Sequence, residues 1–290
     1  ILSALAQNDL KRLLAYSSVE NIGLITLGVG MGLLGTCYDY PRLQVLGYGG
    51  ALLHILNHAM FKGLLFMAAG SVLHGAGTKN LNQLGGLIKR MPWTAGLFLT
   101  GAAAISGLPP LNGFVSEFLL FLGALESVVH PGVAVALAGI AILCGMAFIG
   151  GTAAACYTKA FGIMFLGSPR TETASHAHES GALMRIPMLI PAAGCVLVGL
   201  CAPWIAGRLR FVLPTLLPMD AHALRQDLDP LAGTLFLLTF AAVGLILLVT
   251  AFLLLRKWLL ANRPVDEQGT WDCGYARPGA RMQYTASSFE

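Results

Sequence analysis

From Val133 to Thr158, and again from Gly233 to Leu255, the chain runs without an Asp, Glu, Lys or Arg. Apolar runs beyond about 18 residues are long enough to cross a hydrocarbon core as helices. A bilayer offers backbone groups no water, so a spanning segment must satisfy its own N–H and C=O groups, as a helix does. Hydrophobic residues make up 56% of the chain and charged residues 11%, against about 25% charged in soluble domains. The expected fold is therefore an all-α, polytopic transmembrane helix bundle whose surroundings are the lipid bilayer. Its net charge of +4 is small, and no basic or aromatic-basic run points to nucleic acid.

Seven membrane segments are predicted, at about 16–36, 43–74, 92–108, 111–128, 133–166, 186–205 and 233–256. The second is too long for an upright crossing and must tilt or protrude. The fifth reads as one crossing with a possible bend at Gly150–Gly151. Between the third and fourth lies "AISGLPPLNGFVSEF". Pro109 and Pro110 lack N–H groups and clash with a preceding turn, and Gly113 follows closely. Two readings fit: a plain turn at the membrane surface, or a discontinuous helix buried in protein. The segments 167–185 and 206–232 read as loops, the first polar, the second of mixed charge. His176 and His178 in the first are expected to be solvated. The tail 257–290 is polar. The opening "ILSALAQNDLKRLL" has no Met and no charged leader, which suggests the C-terminal part of something longer. Lys and Arg are balanced between alternating connections, so orientation is not indicated.

The six cysteines (Cys37, Cys144, Cys156, Cys195, Cys201 and Cys273) never approach a CxxC spacing. No disulfide, zinc site or iron–sulfur cluster is expected, and no cofactor in this chain.

Ionisable residues inside a bilayer cost about 2.5–3.5 kcal/mol each at its centre and mark functional sites. Those here are Glu20, His54, His58, Lys62, Glu117, Lys159 and Glu126. His54, His58 and Lys62 stand four apart, on one face of a helix. Neighbours about 6 Å apart along the axis suit bridging water, the layout of a proton relay. Histidine titrates near neutrality, and a desolvated lysine or glutamate can load and release a proton there too. A metal pair at His54 and His58 would lack further ligands. Lys159 either joins the pathway or snorkels to the surface near Gly167. Glu20 is as readily interfacial as functional, and Glu126 is expected at a helix end.

Four stretches carry a resemblance: "LAQNDLKRLLAYSSVENIGLI", "HILNHAMFKGLLFMAAGSVLH", "NLNQLGGLIKRMPWTA" and "ISGLPPLNGFVSEFLLF". Together they resemble the antiporter-like proton-translocating subunits of respiratory complex I and of Mrp antiporters, over roughly the first 130 residues. The later "CYTKAFGIMFLGSPRTETASHAHE" and "GTWDCGYARPGARMQYTASSF" are similar to the hydrogenase branch, the large membrane subunits of hydrogenase-4 and formate hydrogenlyase. The resemblance implies an inverted-repeat fold, of which 1–167 would be part of the proton-translocating domain (its second repeat). Segment 168–256 would hold accessory helices and loops. It further implies that Lys62 is the central proton carrier, His54 and His58 water-wire residues, and Glu117 the charged residue of the broken helix. First-repeat residues would lie upstream of Ile1. Implied partners are other membrane subunits and nickel–iron hydrogenase and iron–sulfur subunits, in a cell (inner) membrane. The chain itself would do no redox chemistry. Alternatives are a quinone-reductase or Mrp-type antiporter subunit, or a structural anchor.

Overall fold

Asp9 begins the fold. Its carboxylate accepts the Arg12 N–H at 3.1 Å and so caps the helix that follows. In this computed structural model, which describes residues 1–130, 132–216, 221–263 and 282–289, a short α1 (Leu2–Leu5) precedes α2 (Leu10–Cys37) and α3 (Pro41–Ala76). Pro41 opens α3 at the position where a missing N–H costs nothing, and Gly77, at φ 71°, closes it. The two helices are antiparallel and packed through glycines. A Cβ on Gly47 would lie 2.4 Å from the Gly32 nitrogen, and one on Gly35 would lie 2.6 Å from the Gln44 nitrogen. Small residues allow this approach, which is how membrane helices associate where lipid is as apolar as leucine.

The third and fourth predicted segments are α4 (Pro92–Ile105) and α5 (Asn112–Val128). With 14 and 17 residues they reach only about 21 Å and about 26 Å, short of a core of about 30 Å. Their contacts along α3 show what they are. Thr94 bonds Ser71, Gly101 packs on Leu65, Asn112 bonds Asn57, Ser116 bonds His54 and Leu120 packs on Gly50. The ladder falls steadily along α3, so α4 and α5 are two halves of one crossing, laid end to end. The chain thus has a discontinuous helix, the second of the two readings that the sequence left open at Pro109 and Pro110. Backbone at the break is paired within the protein. Ser106, Gly107, Leu108 and Leu111 N–H groups bond nearby carbonyls, and Pro109 and Pro110 have none to pair.

Helix α6 (Val133–Phe165) is unbroken through Gly150 and Gly151. It crosses α5 at Gly139, where a Cβ would meet the Ala124 carbonyl at 2.7 Å. After a short α7 (Glu172–Ser175), α8 (Ala182–Leu200) buttresses the break. A Cβ on Gly199 would stand 1.8 Å from the Pro110 carbonyl oxygen. The loop 167–185 is anchored at several points. Arg170 donates to the Leu84 and Ile163 carbonyls, and Glu179 accepts the Trp93 N–H at 2.8 Å and the Thr94 hydroxyl at 2.5 Å, capping α4 from outside. His176 and His178 are exposed.

Within the predicted loop 206–232, residues 206–216 and 221–232 are instead helical. They belong to α9 (Ala202–Leu216) and the first part of α10 (Ala221–Leu259). Ala202, Ala206, Leu209 and Leu213 recur at helical spacing and bury against Val45, Leu53, Val115 and Leu119. The intervening Arg208 and Arg210 masked that period. Most of the tail carrying "GTWDCGY", with Cys273, lies outside the described residues. Five helices (α2, α3, α6, α8 and Leu228–Leu259 of α10) are long and apolar enough to cross a bilayer. With the broken α4–α5 crossing, this is a multi-pass membrane protein. Among the described residues there is no β-strand, only an isolated bridge between Asp9 and Asn80.

The glycine contact yields a stability prediction. Gly47→Leu forces α2 from α3 and costs about 1–3 kcal/mol or more. Gly63→Ala, where nothing lies within 4 Å of the new Cβ, leaves stability unchanged; thermal unfolding in detergent reports both.

Candidate functional site

The inner face of α3 carries the polar groups. His54 and Asn57 are fully buried and Lys62 is 5% exposed, while His58 is half-buried. Their side chains lead to three different helices. His54 Nε2 lies 3.1 Å from Asn21 Oδ1 on α2, and its Nδ1 lies 2.9 Å from Ser116 Oγ on α5. Asn57 donates to Ser116 Oγ at 3.0 Å and to the Asn112 carbonyl at 2.8 Å. Lys62 Nζ donates to the Leu14 carbonyl at 2.9 Å and to Ser17 Oγ at 2.5 Å, and stands 3.4 Å from Tyr157 OH on α6. Ser17 Oγ and Tyr157 OH are 2.7 Å apart. An ammonium has three N–H bonds, and three acceptors meet Lys62 here. Among the described residues no carboxylate comes within ion-pairing distance of it.

Two stations of the seam lie between these clusters. The Phe61 ring packs edge-on against His54 and His58, at centroid distances of 6.1 and 5.7 Å. His58 Nε2, Glu20 Oε2 and Asn57 Oδ1 are buried without a hydrogen-bond partner among the described residues. Buried polar atoms ordinarily find partners, through ordered water if not protein, so these three mark where water belongs.

Glu117, in the second turn of α5, reaches back to the break. Its carboxylate lies over Gly107, where a Cβ would come 2.5 Å from Glu117 Oε2, and Gly107 also has φ 64°. Only glycine suits both demands. No hydrogen bond or ion pair joins Glu117 to Lys62 among the described residues. Lys159 does not snorkel: it is fully buried on α6 and donates to the Leu5 carbonyl at 2.6 Å. The tight contact of α6 with α1 encloses the amine before it can reach the surface. Glu126 stands in the last turn of α5, bound by Arg42 at 2.9 Å and the Tyr40 hydroxyl at 2.6 Å. It ties the outer ends of α3 and α5.

The structure thus brings His54, His58 and Lys62 onto one buried face, with Glu117 reaching the neighbouring break and Glu20 with an inward oxygen. Sequence reasoning missed Ser17, Asn21, Asn57, Asn112, Ser116 and Tyr157. Asn57 shares the face of His54 and His58, and Ser17 and Asn21 stand four apart, so a wider search for small polar residues in register would have found these three. Tyr157 gave no such signal.

Residues 1–143 match the family described as NADH:quinone oxidoreductase/Mrp antiporter, transmembrane. They belong to that family. The antiporter-like chain is 39% identical over 280 residues to hydrogenase-4 component B of Escherichia coli K12, covering 95% of this chain and 42% of that protein. It is 36% identical over 294 residues to formate hydrogenlyase subunit 3 of the same organism, covering 99% and 46%. It spans less than half the length of these relatives. Among solved structures, the Mrp complex from Dietzia sp. DQ12-45-1b superposes with a TM-score of 0.57 at 21% identity, over 81% of this chain and 46% of that one. That likeness establishes an antiporter-like fold.

The bridging amide can be tested through stability. Asn57→Leu removes the buried amide that bridges Ser116 Oγ and the Asn112 carbonyl and costs about 1–3 kcal/mol. Thr100→Val, which removes an exposed bond to Gly96 of its own helix, changes stability by less than about 0.5 kcal/mol. Thermal unfolding of the two variants in matched detergent separates them.

Proposed function

We propose that this chain is part of a membrane subunit of an energy-converting, hydrogenase- or formate hydrogenlyase-type complex, and that it moves protons across a cell membrane. One observation carries the reading. The family match ends at residue 143, whereas similarity to the hydrogenase-4 and formate hydrogenlyase proteins continues over 95% and 99% of the chain. In this reading residues 1–167 form the second inverted repeat of the proton-translocating domain. Residues 168–256 add accessory helices, and 257–290 form a polar tail.

Lys62 is the switchable member. Loaded, it rests among Leu14, Ser17 and Tyr157; unloading requires a hydroxyl of that nest to turn and donate to the bare amine. His58 and His54 lead toward the break along α3, where Glu117 takes part from the other half of the seam. Glu20 supplies a second carboxylate near the lysine side, and Lys159 a further buried amine. Pro109, Pro110 and Gly113 hold the helix interrupted beside Glu117. Redox chemistry belongs to nickel–iron and iron–sulfur partner subunits. Coupling requires that protonated and deprotonated seams differ in free energy between two conformations of the complex.

The test uses the full-length protein assembled in its native complex. Lys62→Ala lowers redox-driven proton uptake into inverted vesicles by at least about tenfold, and Glu117→Gln acts in the same direction. Wild-type uptake in Lys62→Ala, with assembly intact, would leave only a structural anchor. Co-purification of a nickel–iron hydrogenase subunit with the tagged protein is expected; its absence would favour the Mrp-type antiporter reading.

A further inference from the structure

Ser116 is an ordinary residue with an unusual set of neighbours. It is fully buried in the second turn of α5, directly before Glu117. Its oxygen lies 3.0 Å from Asn57 Nδ2, 2.9 Å from His54 Nδ1 and 3.1 Å from the Gly113 carbonyl. A hydroxyl has one hydrogen and two lone pairs. Asn57 Nδ2, already aimed at the Asn112 carbonyl with one hydrogen, gives Ser116 the other. The Ser116 hydrogen can then go either to His54 or to Gly113, and not to both.

Which one it chooses depends on His54. The Asn21 amide donates through Nδ2 to the Ser17 carbonyl at 2.8 Å, so its oxygen faces His54 and requires a donor. This assigns a hydrogen to His54 Nε2 and leaves Nδ1 bare in the neutral ring. With Nδ1 bare, Ser116 donates to it. With Nδ1 protonated, the ring donates to Ser116, and the hydroxyl must turn to the Gly113 carbonyl. Both arrangements satisfy every partner by one hydroxyl rotation, with no bond made or broken at serine. Gly113 is the residue whose carbonyl the α-helical pattern pairs with the Glu117 N–H. It is also pressed against the end of α4, where a Cβ on it would meet the Ala104 oxygen at 1.9 Å.

We propose that Ser116 is a positioning residue that reports the protonation state of His54 to the first turns of α5 at the helix break, by switching its hydroxyl between the imidazole and the Gly113 carbonyl. The inference rests on the proton-moving reading above and adds how two halves of the seam stay in step. Titratable groups around it are Glu20 on α2, His58 and Lys62 on α3, Glu117 on α5, Tyr157 on α6 and Cys195 on α8.

The experiment measures redox-driven proton uptake against pH, for the full-length protein in its assembled complex. Ser116→Ala is expected to slow uptake about tenfold and to move the half-maximal pH by about one unit. Ser116→Thr, which keeps the hydroxyl, is expected to restore both the rate and the profile. Lys62→Ala runs alongside. If it abolishes uptake while Ser116→Ala retains the wild-type rate and profile, the switch is refuted and the proton reading stands. If Lys62→Ala itself takes up protons normally, that reading has failed first. A Thr variant as defective as Ala would also overturn the proposal, because the hydroxyl would not be what matters. Should Ser116→Ala not assemble, Thr and Cys decide: a normal Thr with a shifted Cys supports the switch, and two normal profiles reject it.

Discussion

A bilayer gives an interrupted helix no water with which to satisfy its freed backbone, and most of this architecture answers that constraint. Along the break between Ile105 and Asn112, four N–H groups find local carbonyls and the two prolines bring none. Asn57 from α3 donates to the Asn112 carbonyl, and α8 packs closely on the Pro110 carbonyl through Gly199, which has no side chain to hold it off. Non-helical backbone at membrane depth persists only inside such packing or against a hydrated cavity. Here the packing and the polar seam are the same object. Asn57, which supports the break, also holds Ser116 beside His54.

The seam divides into two clusters rather than one file of contacts. Around Lys62 the partners are hydroxyls and a carbonyl from α2 and α6; around His54 they are an amide on α2 and the opening turns of α5. His58 and Phe61 lie between, with His58 Nε2 unpartnered. Protons cross such a gap only through water, so in the proposed reading the interval at His58 is where wetting controls transfer. Residue identity follows this division. In the proposed proton-moving reading, the groups that change charge are His, Lys and Glu, and those that only reorient, such as Ser116, Ser17 and Tyr157, carry hydroxyls.

How much of this was legible depended on whether the signal was local. The four-residue register of His54, His58 and Lys62 against an apolar background placed them on one face, and Pro109–Pro110 marked an interruption. Local sequence left a surface turn and a broken helix both open, because the choice depends on which residues of α3 the α4 and α5 helices meet, 23 to 70 positions away in sequence (Thr94 to Ser71, Leu120 to Gly50). Helix α9 was hidden for another reason: Arg208 and Arg210 made an amphipathic helix look like a charged loop. Lys159 is long enough to reach the surface, and only its contact with the Leu5 carbonyl of α1, distant in sequence, keeps it inside. Ser116 and Tyr157 are common residue types whose meaning lies in their partners.

The proton-moving reading requires that titrating side chains persist in this bundle because they line an internal, hydrated seam at the helix break. The most direct measurement is a water-resolving cryo-electron microscopy map of the full-length protein in its complex, in lipid. Ordered solvent density within hydrogen-bond distance of His58 Nε2, Asn57 Oδ1 and Glu20 Oε2 is the result expected. Apolar side chains sealed over those three atoms, with no density between them, would contradict it.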